Sequence, residues 1–221
     1  LPPEPIVLAF DTSAAHCAAA LVSGGRVLAL HHEPMDKGQA EYLMPMLTTM
    51  LEKAGVTWRD LRCIGVGTGP GNFTGVRISV AAARGLALGL GIPAVGVTAL
   101  EAQVFGIAGP VISSLDARRG LIYLQAFAPE GAAMICDAAA LPALSAATCV
   151  GHEAHQVAKA CAGQVAASAV PLTEAIARIA LARTGTGIAP GRHSAFPRPA
   201  PFYLRGADAA PSSDPPPVIL P

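Results

Sequence analysis

Charge is scarce in this chain: Lys, Arg, Asp and Glu make up 14% of its 221 residues, against about 25% in an average soluble protein. The 15 basic and 15 acidic side chains cancel, and no run of Lys or Arg breaks the balance. That excludes a chain that grips nucleic acid alone, because phosphate binding draws on basic side chains; if RNA is involved, another component holds it. A long apolar run is missing too. The longest uncharged apolar stretch, residues 85–100, holds Pro93 and four glycines and falls short of the roughly 20 residues that span a bilayer. Cysteine pairs are also absent. Cys17, Cys63, Cys136, Cys149 and Cys161 are odd in number, widely spaced and form no C-x-x-C, which fits neither a disulfide framework nor a zinc ribbon and reads as buried thiols of a cytoplasmic protein. Residues 1–5 have neither the basic nor the apolar region of a secretory signal, so none is expected.

What the chain does have is apolar residues, 52% of the total, many of them alanines suited to close helix packing. Its apolar runs predict strands at 6–10, 17–22 and 27–30, with Ser23-Gly24-Gly25 turning the second into the third. Leu43, Met46, Leu47, Met50 and Leu51 recur at helical spacing, and Gly55 stands where that helix would end. A strand at 63–67, a glycine loop at 67–75, a helix at 76–90 and a strand at 94–97 follow. Thr98 and Glu101 then have capping-box spacing for a helix at 99–105. From 111 the order restarts: strands at 111–115, 121–127 and 133–136, with Asp116 ending the first as Asp11 ends its counterpart. This predicts two α/β subdomains of repeated element order, 1–98 and 99–208. Helices at 153–162 and 174–183 are expected to cover the second sheet, Phe202, Tyr203 and Leu204 to pack as an extended strand within 197–205, and 209–221 to be a disordered tail.

The segment Gly67-Thr-Gly-Pro-Gly-Asn-Phe-Thr-Gly75 lies between a strand and a helix, where backbone N–H groups can receive an anion. It is not a Walker loop, because Val76-Arg77 stands where Lys and a hydroxyl are needed, and its glycine spacing fails the dinucleotide fingerprint. Two readings stay open: a rigid turn capped by Thr74 or Asn72, or an anion or partner contact. Asp11-Thr12-Ser13 at a strand end resembles the first phosphate loop of actin-like ATPases. The second loop would be Asp116-Ala-Arg118, whose side chains stand where phosphate must fit, which speaks against ATP hydrolysis. His152 and His155 are three apart rather than the four of a zincin helix, and no G-x-S-x-G elbow occurs. No catalytic group, metal site or cofactor is expected.

The two N-terminal helices lack a wide charged face. The first has no charge between Glu41 and Glu52, and the second carries only Arg77 and Arg84. Such helices need cover on both sides, from their own chain or from another.

Ile6-Val-Leu-Ala-Phe-Asp-Thr-Ser13, Glu41-Tyr-Leu-Met-Pro-Met46, Gly67-Thr-Gly-Pro-Gly-Asn-Phe-Thr-Gly-Val-Arg-Ile78, Leu115-Asp-Ala-Arg118 and Phe202-Tyr-Leu-Arg205 resemble the bacterial TsaB (YeaZ) family of tRNA threonylcarbamoyladenosine biosynthesis. The likeness is dense over 6–128 and returns at 201–208. It implies an actin-like (ribonuclease H-like) duplicated α/β fold of two βββαβα-type subdomains, the second reduced. It also implies a pseudoenzyme that binds the catalytic, metal- and ATP-dependent paralogue TsaD, joined by the ATPase TsaE, and that meets tRNA only through the complex, with no membrane role. Self-pairing through the same two helices is implied as well. Carried onto this chain, the partner surface comprises Leu43, Met46, Leu47, Met50 and Leu51 with Arg77, Val80, Ala81 and Arg84. Asp11, Thr12, Ser13, Gly69, Gly71, Phe73 and Thr74 become a vestigial phosphate loop or a structural one. The first helix lacks the paralogue's metal-binding histidines. Gln39 and Leu121 replace a His and a Glu common in relatives. The competing reading is an autonomous actin-fold ATPase or a peptidase-like enzyme.

Overall fold

The structure is a computed structural model and describes residues 4–185 and 196–205; the expected tail at 209–221 lies outside them. Strands β1 (Ile6–Asp11), β2 (His16–Ser23) and β3 (Arg26–Pro34) form a meander. Helix α1 (Gln39–Lys53), β4 (Leu61–Gly67), α2 (Phe73–Leu90) and β5 (Ala94–Val97) complete the first half, and its sheet has the order β3-β2-β1-β4-β5. After α3 (Ala99–Gln103) the plan repeats with β6 (Val111–Asp116), β7 (Leu121–Phe127), β8 (Met134–Asp137), β9 (Thr148–Gly151), α4 (Ala154–Ala160) and β10 (Gln164–Val165). The second sheet runs β10-β9-β6-β7-β8, the same topology read from the other edge. In each half the first two pairings are antiparallel and the rest parallel. This is the duplicated actin-like α/β fold, and the second copy is reduced to strands as short as the two residues of β10.

The period of two along β1 assigns its faces. Leu8 and Phe10 turn toward α1 and α2 in one core, and Val7 and Ala9 turn the other way into a second. A central strand buried on both faces has no polar alternation to show. Each helix ends on a local signal. In α1, Val56 N donates to Leu51 O and Gly55 N to Glu52 O, a Schellman closure that needs the left-handed Gly55. Asn72 caps α2 by accepting from the amides of Thr74 and Gly75 at 3.0 and 3.1 Å. Thr98 accepts from Glu101 N, but the capping box is half made, because the Glu101 carboxylate instead binds Arg183 at 2.6 Å.

Helix α5 (Leu172–Thr184) is expected over the second sheet, yet it packs on the first. Ala175, Ile176 and Ala180 fill the core on the Val7, Ala9 and Val95 face, and Gly65 admits the helix closely, since a Cβ there would lie 3.1 Å from Ile176. Arg178 donates to Gly25 O and Arg183 to Gly96 O, both at 3.0 Å. The second sheet is left with α4, whose Ala154, Val157 and Ala158 meet Ile112, Ile122 and Cys149. Helix α2 has 18 residues and is apolar enough to cross a bilayer by length and composition, a length the uncharged-run criterion missed because Arg77 and Arg84 interrupt it. Its inner row, Val76, Val80, Ala83 and Ala87, packs in the core of the first sheet. Residues 196–205 form no strand; they run as a strap joining the halves.

Candidate functional site

The Asp11 loop and the glycine loop are one unit. Asp11 Oδ2 accepts from Ser13 N at 3.0 Å, from Ser13 Oγ at 2.9 Å and lies 2.8 Å from His16 Nε2. Thr12 Oγ1 donates to Gly75 O at 2.7 Å, and Asn72 N donates to Ser13 O at 2.6 Å. Glycine is required because the two backbones touch: a Cβ at Gly71 would stand 2.2 Å from Ser13 O, and one at Gly75 1.9 Å from Thr12 O. At Gly67 it would fall 1.8 Å from Asp11 Oδ1, the buried side-chain oxygen without a hydrogen-bond partner among the described residues. Ser79 Oγ, buried on α2, donates to Gly67 O at 3.1 Å and ties the helix to β4.

This packing decides what the loop can hold. Thr12, the hydroxyl expected near phosphate, is wholly buried and committed to Gly75. In the opposite half, Asp116 Oδ1 accepts from Arg118 N at 2.7 Å, so its carboxylate closes its own turn. No group of three His, Cys, Asp or Glu able to hold a metal occurs among the described residues. Asp11, Thr12, Ser13, Gly69 and Gly71 are thus packed against one another and against the start of α2. Gly69 supplies a positive φ of 88° for the turn, whereas Phe73 and Thr74 open α2 at the surface. Between the halves lies a cleft of about 920 Å³, bordered by His16, Asn72, Asp116, Arg118, Tyr123 and Phe202.

The residues expected at a partner surface divide by helix face. Leu43, Met46, Leu47, Met50, Leu51 and Val80 are core residues, at most 6% exposed, because the apolar stripe at helical spacing is the stripe that meets the sheet. Arg77, Ala81 and Arg84 point outward. They share their row with Phe73, Gly85 and Leu88, and Leu88 is 76% exposed; Met44 on α1 is exposed as well. Leu88 and Met44 were legible as the outward complement of the buried stripe, since Leu88 lies four residues beyond Arg84. Nothing in the sequence pairs the strap with α2. There the Arg77 guanidinium stacks 3.7 Å from the Phe73 ring centroid and its Nε donates to Tyr203 Oη at 2.9 Å, with the two rings 5.0 Å apart. The strap is pinned further by Phe202 N donating to Thr68 O at 2.8 Å and Arg205 Nη1 to Ala117 O at 3.1 Å.

Comparison with known proteins gives a consistent answer. Residues 33–167 match the family model described as TsaD, tRNA N6-adenosine threonylcarbamoyltransferase. The chain is 37% identical over 122 residues to the tRNA threonylcarbamoyladenosine biosynthesis protein TsaB of Escherichia coli K12, covering 53% of this chain and 52% of that protein. It is 35% identical over 123 residues to the TsaB of Bacillus subtilis 168, covering 53% and 52%. It thus spans about half the length of the curated relatives it matches. Among solved structures, YeaZ from Pseudomonas aeruginosa superposes with a TM-score of 0.67 at 28% identity, over 90% of this chain and 100% of that one. A second Pseudomonas aeruginosa structure, described as similar to peptidase YEAZ, gives 0.69 at 28% identity, over 91% and 100%.

Proposed function

The chain belongs to the tRNA N6-adenosine threonylcarbamoyltransferase family, and within it to the TsaB/YeaZ proteins, and from that premise we propose that it is a non-catalytic scaffold subunit in tRNA threonylcarbamoyladenosine biosynthesis. In this reading it binds the catalytic paralogue TsaD, TsaE joins the assembly, tRNA is met through the complex in the cytoplasm, and self-pairing uses the same face. The observation that carries the reading is the outer row of α2. Phe73, Ala81, Gly85 and Leu88 offer apolar and small contacts at the surface, Arg77 is held flat by its aromatic neighbours, and small residues let another helix approach closely. The closed Asp11 loop supports the absence of catalysis by this chain, since the Thr12 hydroxyl and one oxygen of the Asp11 carboxylate are engaged in bonds to the backbone.

The test mixes the intact chain with the TsaD paralogue of the same genome and measures association by light scattering and titration. Arg84→Glu combined with Leu88→Glu is expected to weaken the complex by at least about tenfold, as loss of an interface centre does, with unchanged circular dichroism and melting. Leu47→Glu, by contrast, is expected to unfold the chain, because the charge would enter a wholly buried position. Full binding by the Arg84/Leu88 double variant would overturn the surface assignment.

A further inference from the structure

The sequence separates Cys149 and Cys161 by an unremarkable stretch, but the fold brings their sulfurs to 3.5 Å. Cys149 sits in β9 and Cys161 at the end of α4, and both are buried in the core of the second half. Each otherwise has only a weak contact to a backbone carbonyl, Ala147 O for Cys149 and Ala158 O for Cys161. Space on the far side of Cys161 is kept by Gly163, where a Cβ would stand 2.8 Å from its sulfur. Cys17 and Cys63 lie elsewhere, in the two cores of the first sheet. Cys136 packs at the margin of the same core, but on β8, which β7 and β6 separate from the strand of Cys149, about 14 Å at the usual strand spacing.

We propose that Cys149 and Cys161 are a latent disulfide pair, open while reduced and closed by a hydroperoxide into a bridge between β9 and the end of α4. The sulfurs need to approach by about 1.5 Å to reach bonding distance. The first attack is assigned to Cys161, 4% exposed against 0% for Cys149, once local opening of this core admits the peroxide. Its thiolate attacks a peroxide oxygen, the O–O bond breaks, and a sulfenic acid and one water result. The Cys149 sulfur then gives up its proton and attacks the sulfenic sulfur; the S–S bond forms, the S–O bond breaks and a second water leaves. Two thiols lose two electrons and two protons, and hydrogen peroxide becomes two waters. Burial and the neighbouring Cys161 push the Cys149 thiol up to about 12, so closure is slow and needs sustained oxidant. Because β9 is paired with β6, the bridge would stiffen the strand that ends in Asp116 beside the cleft.

The test uses the full chain, hydrogen peroxide and a thiol count under denaturing conditions. All five cysteines titrate in the reduced protein; after oxidation Cys17, Cys63 and Cys136 remain, and the intact mass falls by two hydrogens. Trypsin places Cys149 with Cys136 in peptide 120–159 and Cys161 in peptide 160–178. The linked pair must therefore appear in Cys136→Ser, vanish in Cys149→Ala, and dissolve with a dithiol reductant. An unchanged thiol count, a Cys161 sulfinic acid without a linked peptide, or a link that depends on Cys136 would overturn the assignment. Should the Cys149 variant not fold, the peptide map of Cys136→Ser decides.

Discussion

Gly75 and Gly85 sit ten residues apart on one helix and answer to different physics. At Gly75 a methyl would stand 1.9 Å from Thr12 O, a backbone atom held by strand β1, so neither partner can yield. Gly75→Ala is expected to cost about 3 kcal/mol or more, the upper range for overpacking a rigid site. At Gly85 a methyl would meet nothing within 4 Å, and Gly85→Ala is expected to be neutral or to stabilise by about 0.5–1 kcal/mol through helix propensity. Urea denaturation of the two variants beside the parent checks both; equal effects would mean that the glycine loop is not a close-packed framework. The same logic explains why the glycine block looked like an anion site in sequence: the residues that permit a phosphate to approach a backbone also permit another backbone to do so, and here the second happens.

At the scale of elements, caps and faces carry the information. The 3-10 turn Trp58–Asp60 is closed by Asp60, which accepts from Thr57 N at 2.7 Å and Thr57 Oγ1 at 2.6 Å; these bonds hold its carboxyl below the usual carboxylate range. A carboxyl depressed in the folded chain contributes stability that is present above its unfolded value, about 3.9, and lost as pH falls through the folded one. Asp60→Asn is therefore expected to flatten the loss of stability on acidification below about pH 4, and thermal melts between pH 7 and 2.5 read this directly; an unchanged acid limb would show that the turn contributes nothing. Helices α1 and α2 were legible as helices from their spacing. The periodic apolar stripe, expected at a partner surface, is the one that meets the sheet, and Arg77 and Arg84 mark the outer face of α2. Thus Leu43, Met46, Leu47, Met50, Leu51 and Val80 went inside, and the surface was left to Arg77, Ala81, Arg84 and Leu88.

At the scale of the molecule the two halves are not independent. Helix α5 comes from the second half of the chain and covers the first sheet, with Arg178 and Arg183 tying it to Gly25 and Gly96. Residues 1–98 expressed alone would leave Val7, Val22, Val95 and Val97 facing water, each forgoing roughly 1.5–3 kcal/mol of burial. That fragment is expected to aggregate or stay molten, judged by size exclusion and amide dispersion in NMR spectra. A monomeric fragment with a sharp cooperative melt would show that the first half stands without α5. The strap from Phe196 to Arg205 works in the same direction, bonding to Thr68 in one half and Ala117 in the other.

By itself the sequence determined most local elements up to residue 137, their order and the repeat, because periodicity, caps and turn glycines act within a few residues and are written in consecutive letters; the short strands β9 and β10 carry no such signal. It also determined the family likeness, carried by short blocks such as Gly67 to Ile78. Only the tertiary structure decided that α5 crosses to the first sheet, that Asp11, Thr12 and Ser13 are sealed by the glycine loop, that Tyr203 stacks on α2, and that Cys149 meets Cys161. Each of these joins residues distant in the chain through shape and burial. A stripe of alanines or a buried thiol satisfies many partners equally well in one dimension, and the packing of the whole molecule selects one.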